Sequence, residues 1–277
     1  MLFKNTVLSI GLFLMSEGLF SQNFSAETVI ISTSFGNMKV KLFNETPLHK
    51  ANFLKLVSEH FYDSLLFHRI TEDFMIQGGD PDSKHADRKK LLGDGDLAYT
   101  VPAEFTPLLF HKKGMLCAAR NSDDVNPIKA SSACQFYIVQ GKVRDDEELK
   151  SLEKRINKAL VTRLKDSCLA QPENKALKEK IQAFKKDNQN DSLLFYTKQL
   201  DEKITTAYEQ TVHYRITEAQ KAVYKTIGGT PHLDNNYTIF GEVIEGLEVI
   251  DKIAGVGKNS ADRPLIDLRM RVYLESE

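Results

Sequence analysis

The stretch "FHRITEDFMIQGGD", Phe67 to Asp80, decides how this chain folds. It sets large apolar residues, one arginine, one glutamine and two consecutive glycines in one short run. It offers no activated nucleophile, no metal cage and no phosphate cradle. Gly78-Gly79 permits a tight turn with backbone angles closed to other residues. Any chemistry done here has to use an arginine over an apolar floor.

Outward from that stretch, short strands dominate. "ETVIISTSFGNMKVKLF" reads as a hairpin: Val29, Ile31 and Thr33 alternate, as do Met38, Val40 and Leu42, with Phe35-Gly36-Asn37 as the turn. Thr46 and Pro47 supply an N-cap and a first helical residue. The helix that follows carries Phe53, Leu54 and Val57 on one face and ends near His60. "FYIVQ" (136–140) and "YTIFGEVI" (237–244) are strand-like. "EGLEVIDKIAG" reads as a short helix closed by Gly255. Leu268, Met270, Val272 and Leu274 alternate as a half-buried last strand. This pattern predicts a mainly β fold, a closed antiparallel barrel capped by two helices.

One segment departs from it. Between Gly141 and Gly228 there is no glycine, and Pro172 is its single proline. Leu149, Leu152, Ile156, Leu160 and Leu164 recur at helical spacing, as do Leu193, Tyr196, Leu200, Ile204 and Ala207. The polar run "KKDNQND" separates the two stripes. Residues 142–227 are therefore read as an α-helical insertion of two main helices, or three with Pro172 opening the middle one. The rival, an all-polar linker, leaves the apolar stripes without a use.

Composition excludes several classes. The chain has 277 residues, 42% of them hydrophobic, enough to bury a core. A formal net charge of −1 gives no footprint for nucleic acid. Three cysteines cannot build a disulfide framework and leave at most one bridge, Cys117–Cys134. Seven histidines form no H-x-x-x-H or H-x-H pair, so no zinc site is expected. "GDGDLA" (93–98) imitates a dinucleotide fingerprint, but Asp94 and Asp96 would repel phosphate. The calcium loop and the G-x-S-x-G elbow are missing. No cofactor and no metal are expected. Residues 1–21 resemble an export signal, with Lys4, the apolar run Val7–Met15 and small residues at Ser16, Gly18 and Ser21. That run is too short to span a membrane, so a periplasmic or secreted location is expected. A buried N-terminal helix is the alternative.

"FHRITEDFMIQGGD", "SSACQFYIVQG" (131–141) and "LDNNYTIFGEVIEGLEVIDKI" (233–253) resemble, in order, three signature blocks of the cyclophilin family of peptidyl-prolyl cis–trans isomerases. The resemblance covers roughly 26–141 and 228–275. It implies an isomerase domain over 22–141 and 228–277, acting on proline-containing polypeptide clients during folding. By resemblance, Arg69 is the catalytic donor and Gln77 orients it. Phe74 and Met75 match the floor of the proline pocket, and His68 matches a histidine lining the site. Ala119 and Arg120 lie on the strand that binds the substrate chain, Arg120 replacing the family's asparagine. Gln135 matches a site glutamine, and Tyr137 stands where phenylalanine is usual. Leu233 closes the pocket, and Tyr237 occupies a position often held by histidine. His232 replaces a tryptophan known to contact cyclosporin, so strong binding of that drug is not expected. The insertion falls near the site rim, either as a substrate-facing or partner-facing arm or as structural decoration. A non-catalytic proline-binding module on the same scaffold is the alternative function.

Overall fold

The computed structural model describes residues 27–275, so the expected signal at 1–21 lies outside the described residues. Strands β1 (Thr28–Thr33) and β2 (Gly36–Leu42) pair as a hairpin, Val29 opposite Val40 and Ile31 opposite Met38. These four side chains are fully buried, as a period of two requires for one covered face. The turn is Ser34-Phe35, one residue earlier than expected, because Gly36 already opens β2 with φ +128°. Helix α1 (Pro47–Ser58) begins at the predicted proline, but Thr46 makes no side-chain cap. Instead the Glu104 carboxylate accepts from the Leu48 and His49 N–H groups, each at 3.0 Å. A carboxylate from elsewhere in the chain thus serves the donor end of the helix, where negative charge is favoured.

The remaining strands are β3 (Phe67–Thr71), β4 (Met75–Gly78), β5 (Thr100–Val101), β6 (Met115–Ala118), β7 (Ser131–Ser132), β8 (Phe136–Val139), β9 (Ile239–Glu245) and β10 (Met270–Leu274). Eight of them make one curled antiparallel sheet in the order β10-β1-β2-β9-β6-β8-β4-β3, while β5 and β7 form a separate ribbon. The expected closed barrel needs correction. The edge strands β3 and β10 are not laddered to each other. One bridge, Leu66 to Arg269, and backbone bonds such as Phe67 N–H to Leu268 O (2.9 Å) and Met270 N–H to Leu65 O (2.8 Å) span the seam. These contacts join only the first residues of the two strands and those just before them, so the seam is pinned there without a ladder between β3 and β10.

The central strands are buried on both faces. Along β8, Phe136 and Ile138 enter the main core with α1 and with α6 (Leu247–Ala254), while Tyr137 and Val139 enter a second cluster outside the sheet. On β6, Leu116 and Ala118 face the main core, whereas Met115 and Cys117 face the outer cluster. The same alternation on β4 puts Ile76 inside and Met75 outside. The outer cluster, completed by Leu233 and Ile239, is the floor on which the site is built.

Between β8 and β9 the chain is helical: α2 (Asp146–Ala170), α3 (Lys175–Lys186), α4 (Asn190–Glu209) and the short α5 (Glu218–Tyr224). Asp145 and Glu148 close a capping box at the start of α2. Leu149, Leu152, Leu200 and Ile204 from the two stripes are buried. Pro172 begins a single turn of 3-10 helix ahead of α3, and Asn188 takes φ +52° in the polar break before α4. All three cysteines are free thiols. No helix among the described residues is long and apolar enough to cross a membrane.

Gly79 follows β4 at φ +95°, and a Cβ there would stand 2.2 Å from the Cys134 carbonyl oxygen. Both the backbone angle and the space demand glycine. Gly79→Ala is expected to lower unfolding free energy by about 1–3 kcal/mol, read from the denaturant midpoint.

Candidate active site

Register across three strands assembles the site. Arg69 on β3 faces Gln77 on β4, and Gln77 faces Tyr137 on β8. The three side chains therefore stand in a row across the outer surface of the sheet. Arg69 Nη1 donates to Gln77 Oε1 (3.2 Å), and Gln77 Nε2 donates to Gln135 Oε1 (3.0 Å). Gln135 Nε2 in turn donates to the Gly93 and Gly95 carbonyls at 2.8 and 2.6 Å. Each amide accepts on one side and donates on the other, so the relay has one direction and ends on backbone. Asp262 Oδ2 lies 3.9 Å from Arg69 Nε and accepts from the Thr71 hydroxyl at 2.9 Å. The Arg69 side chain is 44% exposed, leaving donors free to face an incoming group.

Beside the guanidinium is a cavity of about 160 Å³, lined by Arg69, Phe74, Met75, Gln77, Ala119, Arg120, Tyr137, Leu233 and Tyr237. Its floor is the buried set Met75, Tyr137 and Leu233. The Phe74 ring stacks on His232 with centroids 5.5 Å apart, and Tyr237 meets Tyr137 edge to face at 5.9 Å. Arg120 forms wall rather than recognition surface. Its Nε donates to the Asn236 carbonyl (2.7 Å), its Nη1 to the Asn121 carbonyl (2.8 Å), and its Nη2 pairs with Asp123 at 2.7 Å. The guanidinium carbon lies 4.5 Å from the centre of the Tyr237 ring, and the side chain is only 5% exposed. Ala119 contributes a small side chain, since its N–H donates to Gln135 O and its carbonyl accepts from Ser132 N–H.

Two expected site residues lie elsewhere. His68 is 2% exposed and does not line the cavity; the pairing of β3 with β4 is irregular between Phe67 and Arg69, and His68, the extra residue there, is buried while Arg69 faces out. Burial, aided by the Arg69 and Arg263 charges and opposed by Asp80, holds its ring down at about pKa 4. Gln135 lines a neighbouring cavity of about 420 Å³, which shares Gln77, Ala119 and Arg120 with the first. Other residues of the site give no sign in the sequence. The Tyr137 hydroxyl is 3.0 Å from His111 Nε2, and His111 Nδ1 is 2.9 Å from Asp234 Oδ1. Nothing in one sequence signals that a lone histidine and a distant aspartate meet behind a pocket wall. Among the described residues no cluster of histidine, cysteine and carboxylate side chains could hold a metal ion.

The family model described as cyclophilin type peptidyl-prolyl cis–trans isomerase matches residues 28–155 and 154–273. The chain belongs to the cyclophilin-type peptidyl-prolyl cis–trans isomerases. A peptidyl-prolyl cis–trans isomerase of Staphylococcus aureus is 26% identical over 241 residues, covering 87% of each chain. A bifunctional phosphatase/peptidyl-prolyl cis–trans isomerase of Streptococcus pyogenes is 27% identical over 250 residues, and the chain spans 38% of its length. Among solved structures, a cyclophilin of Cryptosporidium parvum covers 91% of this chain at TM-score 0.53 and 17% identity, which shows the fold. A second structure of that protein, in the presence of the dipeptide Ala-Pro, matches at TM-score 0.50 and 18% identity.

His232, stacked on Phe74 of the pocket wall, is also held down at about pKa 4, by burial first and then by Arg144. Both rings stay neutral in the folded state where the unfolded chain, with ordinary values near 6.5, binds protons. Their contribution is complete above pH 6.5 and is lost as pH falls toward 4. Unfolding free energy should drop over that window, by roughly 3 kcal/mol at most per ring. His232→Phe, which keeps an aromatic ring over Phe74, should make the drop shallower in denaturant titrations at stepped pH.

Proposed function

We propose that the chain accelerates X-Pro rotation by holding the Arg69 guanidinium against the amide nitrogen of a proline seated in the 160 Å³ cavity. The rotation barrier, about 18–20 kcal/mol, exists because the nitrogen lone pair is delocalised into the carbonyl. In the twisted transition state that pair is localised on nitrogen and accepts a hydrogen bond. A fixed donor aimed there binds the twisted amide more strongly than the planar one, and only such differential binding accelerates the step. The apolar floor of Met75, Tyr137 and Leu233 holds the ring and displaces water, which strengthens the donor's effect. No covalent intermediate and no proton transfer are needed.

One observation carries this reading: Arg69 is tethered by Gln77 at the rim of a cavity with an apolar floor, with part of its guanidinium still free. A module that only binds proline has no use for that tethered donor. Phe74 and Tyr237 serve as opposite walls and Gln77 as the orienting group. The cavity beside it, reached past Gln77 and Ala119, gives an extended substrate chain room to continue.

The N-terminal apolar run supports a role on exported polypeptides, in a periplasm or outside the cell. N-terminal sequencing of the mature protein from fractionated cells tests it: an intact Met1 in the cytoplasmic fraction would sink the export reading. The helical segment exposes Leu194 and Phe195, which supports a role as a partner-facing arm.

Arg69→Ala should lower kcat/KM about 10²- to 10³-fold in a protease-coupled assay on a short proline peptide, the usual effect of removing one transition-state donor. Undiminished turnover would remove Arg69 from the mechanism.

A further inference from the structure

Behind the proline pocket, Asp234 is 4% exposed and its carboxylate meets four donors. Oδ1 accepts from the His111 backbone N–H (2.8 Å) and lies 2.9 Å from His111 Nδ1. Oδ2 accepts from the hydroxyls of Tyr214 (2.9 Å) and Tyr224 (2.8 Å). A carboxylate can only accept, so His111 Nδ1 carries the proton. In the neutral imidazole, Nε2 then accepts from the Tyr137 hydroxyl. His111 is fully buried, and its ring lies parallel to that of Tyr137 with centroids 6.2 Å apart. Burial holds the Tyr137 phenol protonated, as a donor must be.

Tyr214 and Tyr224 come from the helical segment, and α2 holds them. Asn157 bonds both backbone groups of Tyr214, Nδ2 to its carbonyl and its N–H to Oδ1, each at 3.0 Å. Glu153 Oε2 accepts from the next-but-one N–H, that of Ile216. Leu149, Ile216 and Tyr224 form their own buried cluster, with Phe110 packed edge to face on Tyr224.

We propose that the helical segment is a working part of the proline pocket: Tyr214 and Tyr224 are positioning residues that act through Asp234 and His111 to fix the orientation of Tyr137. A phenylalanine at 137 would be held by packing alone. This tyrosine is anchored at its far end, because an unpaired buried hydroxyl is unfavourable. A floor held in one orientation keeps the proline ring aligned beneath Arg69, which favours the chemical step more than the initial encounter.

This inference rests on the isomerase reading, and a double-mutant cycle on the full chain separates the two. The doubly substituted Y214F/Y224F protein keeps both rings and loses both hydroxyls. It should lower kcat about three- to tenfold on a short proline peptide with little change in KM. In a Tyr137→Phe background the same two substitutions should cost no further activity, since the group they act through is gone. Thermal melts of all four proteins record stability alongside. Asn157→Ala, which loosens Tyr214 from α2 without entering the buried network, should give the same pattern at smaller size.

An equal loss in both backgrounds, tracking the melting temperature, would reduce the network to a structural tie and overturn the inference. So would no loss in either. A wild type without turnover overturns the isomerase reading and this inference with it, whereas an active wild type with insensitive variants overturns this inference alone.

Discussion

The hydrogen bond from Arg69 to Gln77 is the contact on which the site depends. A loose arginine side chain samples many rotamers and loses that freedom whenever it binds. Tethering one donor in the free protein removes part of that cost before substrate arrives. The tether is only as firm as its anchor, and here the anchor is layered. Gln77 is held by Gln135, Gln135 by the Gly93 and Gly95 carbonyls, and that loop by Asp80, whose buried carboxylate accepts from the Gly93 N–H at 2.5 Å. Asp80 is the last residue of the stretch that begins with Phe67. One run of sequence thus supplies the donor, its first support and the residue that fixes the loop behind its last support.

The contrast with the neighbouring arginine makes the same point. Arg120 is equally charged and lines the same cavity, yet each of its three nitrogens contacts the protein and its flat face covers Tyr237. With its side chain only 5% exposed, it closes the wall. Which arginine can act is decided by what remains unsatisfied, not by charge.

Local signals in the sequence were sufficient for much of this. Alternation marked the strands, Pro47 marked the start of α1, and the two apolar stripes marked α2 and α4. The pocket residues came from recognising separated blocks, and nine of the eleven candidates do line one cavity. Failures arose where a distant group won. Thr46 was the local choice of cap, but Glu104, brought in through the loop after β5, serves those N–H groups. His68 adjoins Arg69 in sequence, yet the irregular pairing of β3 between Phe67 and Arg69 leaves it buried while Arg69 faces out. The closed barrel was inferred from strand count, while closure depends on a ladder between the edges, and one bridge, Leu66 to Arg269, is what joins β3 and β10 at their starts. The Asp234 network joins positions 111, 137, 214, 224 and 234, and no periodicity links residues so far apart.

What attaches the helical segment to the sheet can be decided by magnitude. Among the described residues, the ion pair that leaves the segment, Arg163 with Asp123, is long at 3.9 Å and substantially exposed, and pairs of that kind contribute about 0–1 kcal/mol. Asp234 is different. A carboxylate buried to this degree is tolerable only when its acceptor sites are filled, and removing a partner costs about 1–3 kcal/mol, more where the group is charged. Two of its four donors belong to the segment. Without Tyr214 and Tyr224, Oδ2 would face the space left by the Leu149, Ile216 and Tyr224 cluster, and the charge would have to find water or a proton. Surface charge therefore decorates the junction while buried polarity and apolar packing hold it. The carboxylate that does so stands directly after Leu233 of the pocket floor, which puts the attachment of the segment next to the cavity.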